Sequence, residues 1–280
     1  MSVSRIEWTE VTWNPTTGCD RISAGCDHCY ALTMAKRLKA MGVAKYQTDG
    51  DPRTSGPGFG VAVHREVLTE PLRWQKPRMV FVNSMSDLGH ARIDRDFLAA
   101  VFAVMGVAGH HTFQVLTKRP GRLAKLLSEQ GFRQRMAQSS PLEDGNSGDH
   151  VSDRPAANAP WPLPNVWLGT SIESDEYCWR ADELRKIPAA VRFLSLEPLL
   201  GPLPNLNLEG IDWVIVGGES GRGHRPIELD WVRDLRDHCV DQDVRFFFKQ
   251  VGGITPKSGG RMLDGRTWDE MPEPAIGTRR

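Results

Sequence analysis

The chain has 280 residues, 40% of them apolar, with 35 Lys and Arg balanced against 35 Asp and Glu. That length suits one α/β barrel, which commonly uses about 250 residues, while zero net charge excludes a general electrostatic pull toward nucleic acid or a membrane surface. No apolar run approaches the roughly 20 residues that cross a bilayer, and the residues from Met1 to Glu7 lack the apolar core of a secretory signal, so a cytoplasmic protein with reduced thiols is expected.

Residues 7–13 alternate enough for a first strand, and Trp8 and Trp13 flank the cysteine loop that comes next. In that loop three of the five cysteines, Cys19, Cys26 and Cys29, fall within eleven residues. Gly18 and Gly25 each precede one of them, where the backbone must bend to aim side chains at a common point. Three thiolates suit an iron–sulfur cluster with one iron left open, or a zinc ion completed by His28 or a distant ligand. Inert buried cysteines are the plain alternative, although those are usually scattered. An odd cysteine count opposes a disulfide framework.

Leu32, Ala35, Leu38 and Met41 recur at helical spacing and predict a helix over 30–42, with Gly42 as its stop. Cys29 then sits at the positive end of that helix, which is expected to lower its thiol pKa. Residues 46–58 read as loop. Short apolar runs follow at 61–64, 79–87, 112–119, 166–173, 191–198, 213–220 and 244–250, with helical patterns at 94–105, 120–129, 176–187 and 230–240.

Strands alternating with helices predict a parallel sheet with right-handed crossovers, and near-continuous apolar runs predict burial on both faces. The expected fold is therefore a parallel (β/α) barrel, complete or partial, over residues 1–251 with a tail over 252–280. Residues 130–164 break the rhythm with Ser, Gly, Asn and Pro and read as one long insertion. Within the tail, Asp264-Gly265 is expected to turn a small hairpin. Gly217-Gly218-Glu219 does not lead directly into a helix, so a dinucleotide-binding fingerprint is missing.

In a parallel barrel the active site gathers at the carboxyl ends of the strands. Six runs switch to polar side chains there: Asn83, Ser84, Ser86 and Asp87; Thr117, Lys118 and Arg119; Ser171 and Glu173; Ser195 and Glu197; Gly217, Gly218 and Glu219; Lys249 and Gln250. Mixed carboxylates and cations make a floor able to hold a charged ligand. His110-His111 has no metal-ligand spacing and reads as strand entry. Trp167, Trp213 and the run Phe246-Phe247-Phe248 read as core.

Asn14-Pro15-Thr16-Thr17-Gly18-Cys19 leading to Gly25-Cys26-Asp27-His28-Cys29-Tyr30-Ala31 resembles the cluster loop of the radical S-adenosylmethionine (SAM) superfamily, especially the branch of spore photoproduct lyase. Over nearly its whole length the chain also resembles a phage- and bacterium-borne three-cysteine family. The resemblance rests on Ile6-Glu7-Trp8-Thr9, Phe81-Val82-Asn83-Ser84-Met85-Ser86-Asp87, Leu116-Thr117-Lys118-Arg119-Pro120, Leu194-Ser195-Leu196-Glu197-Pro198, Trp213-Val214-Ile215-Val216-Gly217-Gly218-Glu219 and Phe247-Phe248-Lys249-Gln250.

The superfamily resemblance implies that Cys19, Cys26 and Cys29 hold a [4Fe-4S] cluster whose fourth iron binds SAM. It implies reductive cleavage of SAM to a 5′-deoxyadenosyl radical, an electron donor as partner, and, by likeness to photoproduct lyase, a nucleic-acid substrate. Asp87, Lys118, Ser171 and Glu173 are the candidates for holding SAM, with Glu197 and Glu219 as further catalytic candidates. Six residues separate Cys19 from Cys26 where the superfamily usually has three, and Gly217-Gly218-Glu219 follows a late strand where the superfamily's Gly-Gly-Glu follows the second. Two other functions fit the residues. One is a nuclease or other DNA-processing enzyme with a structural cluster and a divalent metal on Asp87, Glu173, Glu197 and Glu219. The other is a non-enzymatic metal-binding module docking on DNA or protein through Lys118, Arg119, Arg122 and the tail arginines.

Overall fold

The structure is a computed structural model that describes residues 2–4, 6–139 and 159–274. Its elements in chain order are β1 (Ser2–Val3), β2 (Val11–Trp13), β3 (Thr16–Thr17), α1 (Tyr30–Ala40), β4 (Ala62–Val63), β5 (Met79–Val82), α2 (Arg95–Val107), β6 (Thr112–Thr117), α3 (Pro120–Leu127), α4 (Phe132–Gln138), β7 (Val166–Ser171), α5 (Trp179–Arg185), β8 (Val191–Leu196), β9 (Trp213–Gly217), α6 (Leu229–Asp241) and β10 (Arg245–Gln250). One sheet has the order β1-β2-β5-β6-β7-β8-β9-β10. Its seven strands from β2 onward run parallel, and only β1 is antiparallel.

The period of two along each strand sorts the apolar side chains onto two faces. Val80, Val82, Phe113, Val115, Leu168, Leu194, Val214 and Phe246 join the helices in the main core. Phe81, Trp167, Phe193, Trp213 and Phe247 form a separate aromatic cluster on the other face, centred on Trp8. The Trp8 ring lies 4.8 Å from Phe81 on β5 and 6.3 Å from Trp213 on β9. Four strand spacings would put those strands about 19 Å apart on a flat sheet, so the sheet curls around the indole.

The barrel stays open. A closed barrel would pair β10 with the opposite edge of the sheet, where β1 lies against β2, whereas the free edge of β10 is taken by the tail: Phe248 donates to the Trp268 carbonyl at 2.9 Å, and Phe247 and Asp269 form an antiparallel bridge. The fold is thus an α/β half-barrel. Asp264 and Gly265, with φ of 53° and 80°, turn the expected hairpin, closed by a bridge between Leu263 and Arg266.

Three expectations are corrected. The first strand spans only Val11–Trp13, because residues 6–9 form a turn that delivers Trp8 into the concave face. The run at 61–64 adds nothing to the main sheet; Ala62–Val63 pairs antiparallel with Thr16–Thr17, and His64 donates its backbone N–H to Pro15 O at 2.8 Å. The break at 130–164 begins later than expected, since α4 buries Phe132 and Met136, and Phe132 meets Phe102 of α2 edge-on at 5.5 Å. Residues 140–158 of that insertion lie outside the described residues. Among the described residues no helix is long and apolar enough to cross a membrane.

Candidate functional site

The cysteine loop leaves β2 and folds over the carboxyl ends of β5, β6 and β7. Asn83, just after β5, adopts φ of 62°, a region open to Asn at modest cost. That geometry turns its side chain to the loop, where it accepts from Thr16 N at 3.2 Å and donates to Thr16 Oγ1 at 2.7 Å. Asn14 Oδ1 in turn accepts from Ser84 Oγ and Met85 N. At Gly18 (φ 83°) an added Cβ would lie 2.1 Å from Gly60 O, so only glycine lets the two strands approach. At Gly25 a Cβ would fall 2.3 Å from Glu173 Cγ. A missing side chain is what lets the loop touch the end of β7.

Asp87 organises the first cysteine. Its carboxylate accepts from Gly89 N, Thr117 Oγ1, Lys118 N and Arg119 Nη1 at 2.6 to 3.1 Å. Arg119 Nη1 also donates to Cys19 Sγ at 3.3 Å, and its Nη2 to Asp20 O at 2.9 Å. Asp20 accepts from Thr54, Ser55 and His90. Burial pushes the Cys19 thiol up to about 12, reinforced by the Asp87 charge and only partly opposed by Arg119. Cys19 is therefore a thiol at neutral pH.

Glu173 organises the second. It is 0% exposed and lies between the Lys118 ammonium and Arg180 Nη1, the latter at 2.9 Å. Ser23 Oγ donates to Glu173 Oε1 at 2.9 Å. Lys118 Nζ reaches onward to Ser23 Oγ at 3.4 Å and to Cys26 Sγ at 3.5 Å. Burial opposes the charge on Cys26, but the Lys118 ammonium together with the N–H groups of Ile22 and Ser23 outweighs it and holds this thiol below its ordinary range. Lys118 responds reciprocally: burial disfavours its ammonium, yet Glu173 and Cys26 hold its pKa above the usual value.

Cys29 caps α1 as expected. Its thiol does not gain from that position, because burial raises its pKa by more than the N–H groups of Ala31 and Leu32 lower it. The depressed thiol is Cys26, set by a lysine and not by the helix. Cys19 and Cys29 pack on a shared small core of Ala31, Ala35, Tyr46, Phe59 and Met85. Trp13, by contrast, is buried in the main core, where its Nε1–H donates to Val67 O.

His28 points to neither Cys26 nor Cys29. Its Nδ1 lies 2.8 Å from Glu219 Oε2, and Glu219 also takes the backbone N–H and the guanidinium of Arg225. Burial would raise the Glu219 carboxyl, but hydrogen bonds from Arg225 and His28 bring it down to about 2. His28 thus ties the loop to the end of β9.

Contacts therefore join Cys19, Cys26, Asp87, Lys118 and Glu173 in one network on the rim, and His28 brings in Glu219. Glu197 is paired with Lys249 instead. Ser171 takes part through its carbonyl, which accepts from Arg180 Nη1 at 2.9 Å. Sequence reasoning missed Arg180 and Ser23, and it placed Arg119 on the polar rim and among the docking residues without giving it a cysteine. Gly25, set directly before Cys26, was the available signal for close approach.

Among the described residues no three His, Cys, Asp or Glu side chains converge on a point that would hold a single metal ion. That geometry disfavours zinc, whose donors all lie about 2.0 to 2.3 Å from one centre. It bears less on a cluster, whose thiolates attach to different irons and need not meet. Three cysteines on one loop, Cys19 and Cys29 packed on apolar residues and Cys19 and Cys26 each faced by a cation, form a donor set that suits such a group.

No curated protein and no solved structure matches the chain. The family model described as "Protein of unknown function (DUF5131)" matches residues 3–272, nearly the whole length, and the chain belongs to that family.

Proposed function

We propose that this chain is an enzyme of the radical SAM type that carries a [4Fe-4S] cluster on Cys19, Cys26 and Cys29. One observation carries the proposal: a single loop sets three thiols on the carboxyl rim of a parallel half-barrel, with Arg119 at 3.3 Å from one sulfur and Lys118 at 3.5 Å from another. When bound, the cluster supplies the electron for reductive cleavage of SAM at an open iron.

The chain's own residues do the rest. Lys118 and Arg119 offset the negative charge that three thiolates bring to a poorly hydrated place. Asp87 and Glu173 hold those cations in position, while Tyr46, Phe59 and Met85 give Cys19 and Cys29 an apolar backing. Nucleic acid, the substrate class implied by the likeness to photoproduct lyase, is the first to test. Nothing in the geometry favours a divalent-metal nuclease, because Asp87, Glu173, Glu197 and Glu219 are each committed to a cation. Among the described residues the tail does not favour a docking module either, since Arg261 pairs with Asp269 and Arg266 stacks on Trp268.

The protein is purified without oxygen, iron and sulfide are counted, and the reduced protein is given SAM and assayed for 5′-deoxyadenosine with and without DNA. Iron-dependent nucleoside, absent from Cys26→Ala, is the expected result. Protein that takes up zinc but no iron, or a full cluster that never cleaves SAM, refutes the proposal.

A further inference from the structure

Between the first turns of α3 and α5 lies a cleft of about 500 Å³, walled on one side by Ile22 of the cysteine loop. That volume is in the range of small-ligand sites. Lys118, Arg119, Arg122 and Arg180 line it, against the single carboxylate of Glu183. Three of the four cations are paired, Lys118 and Arg180 sharing Glu173 and Arg119 on Asp87, which leaves the lining with an excess of positive charge. Glu183 is occupied by Lys186.

Arg122 pairs with no carboxylate among the described residues. Its Nη2 donates to Ile93 O at 2.6 Å, while Nη1 is buried without an acceptor. Arg180, only 1% exposed, likewise keeps Nε buried without an acceptor. Four cations line the cleft, and Arg122 alone among them has no carboxylate partner among the described residues, so the lining favours an anion. Beside them Trp179 leaves 51% of its surface exposed, and Tyr177 lies under the Arg180 guanidinium at 4.1 Å.

We propose that this cleft binds one nucleotide unit, its phosphate on the Arg122 guanidinium at the start of α3 and its base stacked on Trp179. The unbalanced Arg122 charge suits a phosphate, and an exposed indole suits any base because every base has a π-face. A Cβ at Gly121 would lie 3.0 Å from Glu183 Oε2, so glycine lets the two helices approach there. Neither Arg122 nor Trp179 bonds to a cysteine, so the site stands independently of iron at the rim.

Full-length protein prepared without iron is titrated calorimetrically with AMP, inorganic phosphate and single-stranded oligothymidylate. AMP is expected to bind one per chain, and inorganic phosphate at least about tenfold more weakly because it has nothing to stack. Arg122→Gln weakens both about tenfold; Trp179→Ala weakens AMP about tenfold and leaves phosphate unchanged. Oligothymidylate that displaces AMP and binds more tightly assigns the unit to a strand, whereas tighter AMP assigns it to a free nucleotide. Should Arg122→Gln fail to fold for want of its bond to Ile93, the surface variant Trp179→Ala carries the test alone. Absence of saturable AMP binding, or parental AMP affinity in the folded variants, overturns the proposal.

Discussion

Gly25→Ala probes the contact on which the loop's position depends. Its new Cβ would lie 2.3 Å from Glu173 Cγ and 2.6 Å from Oε1. An ordinary contact begins near 3.4 Å, so the two groups must separate by about 1.1 Å, the difference between 3.4 and 2.3. Glu173 cannot retreat, because Arg180 holds it at 2.9 Å from the far side and the carboxylate is fully buried. The loop moves instead, stretching the Ser23–Glu173 bond from 2.9 Å to about 4.0 Å and the Lys118–Cys26 contact from 3.5 Å to about 4.6 Å. Losing a hydrogen bond to a charged group costs about 1.5–3 kcal/mol, and the overpacking itself about 1–3 kcal/mol. Part of each is relieved by the shift, leaving roughly 2–4 kcal/mol. Urea unfolding of the parent, Gly25→Ala, Glu173→Ala and the double variant measures it as a cycle. Removing the Glu173 side chain removes the obstacle, so Gly25→Ala should cost under about 1 kcal/mol in that background. Equal costs in both backgrounds would refute the contact.

In iron-free protein at neutral pH, iodoacetamide should modify Cys26 before Cys19 and Cys29, because its thiol alone is held below the ordinary range. Lys118→Met should erase that preference, read by mass spectrometry of the labelled peptides. Arg180→Met leaves Glu173 buried with Lys118 as its one remaining ionic partner and should destabilise the chain by about 3 kcal/mol; a change below about 1 kcal/mol in urea contradicts the buried pair. Burial, together with the neighbouring His110, pushes His111 down to about 4, and its Nδ1 has no partner. The unfolded chain therefore takes up a proton that the folded chain refuses, so stability is full above pH ~6.5 and falls by on the order of 1–3 kcal/mol as pH drops toward ~4. Carboxylates also titrate there, so the check is the difference between the parent and His111→Gln, and parallel curves for the two disprove it.

The parallel strands were legible because burial on two faces leaves uninterrupted apolar runs, as in Val166–Ser171 and Trp213–Gly217. The cysteine loop was legible because clustered thiols have few uses. Partner choice on the rim was not. Asp87 and Glu173 read alike in sequence, yet one reaches Arg119, 32 positions away, and the other takes Ser23, 150 positions away. Only the curl of the sheet decides which meets which. Arg180 was invisible because a buried arginine in a seven-residue helix looks like any solvated one until its carboxylate is known. Helix α4 escaped because seven residues with two buried apolar side chains make barely two turns of pattern. The open barrel was unreadable for a different reason. Strand count alone does not distinguish a sheet that closes on itself from one whose last strand is claimed by the tail.

That claim on β10 has a bearing on synthesis. Chains fold from the amino terminus as they are made, and β10 precedes Trp268, Asp269 and Glu270, the residues that cover its hydrogen-bonding margin. For that interval the nascent protein presents an unprotected ribbon of Phe246, Phe247 and Phe248, the kind of template to which other chains adhere. A ribosome stalled between Gln250 and Leu263 would thus release a sticky fragment.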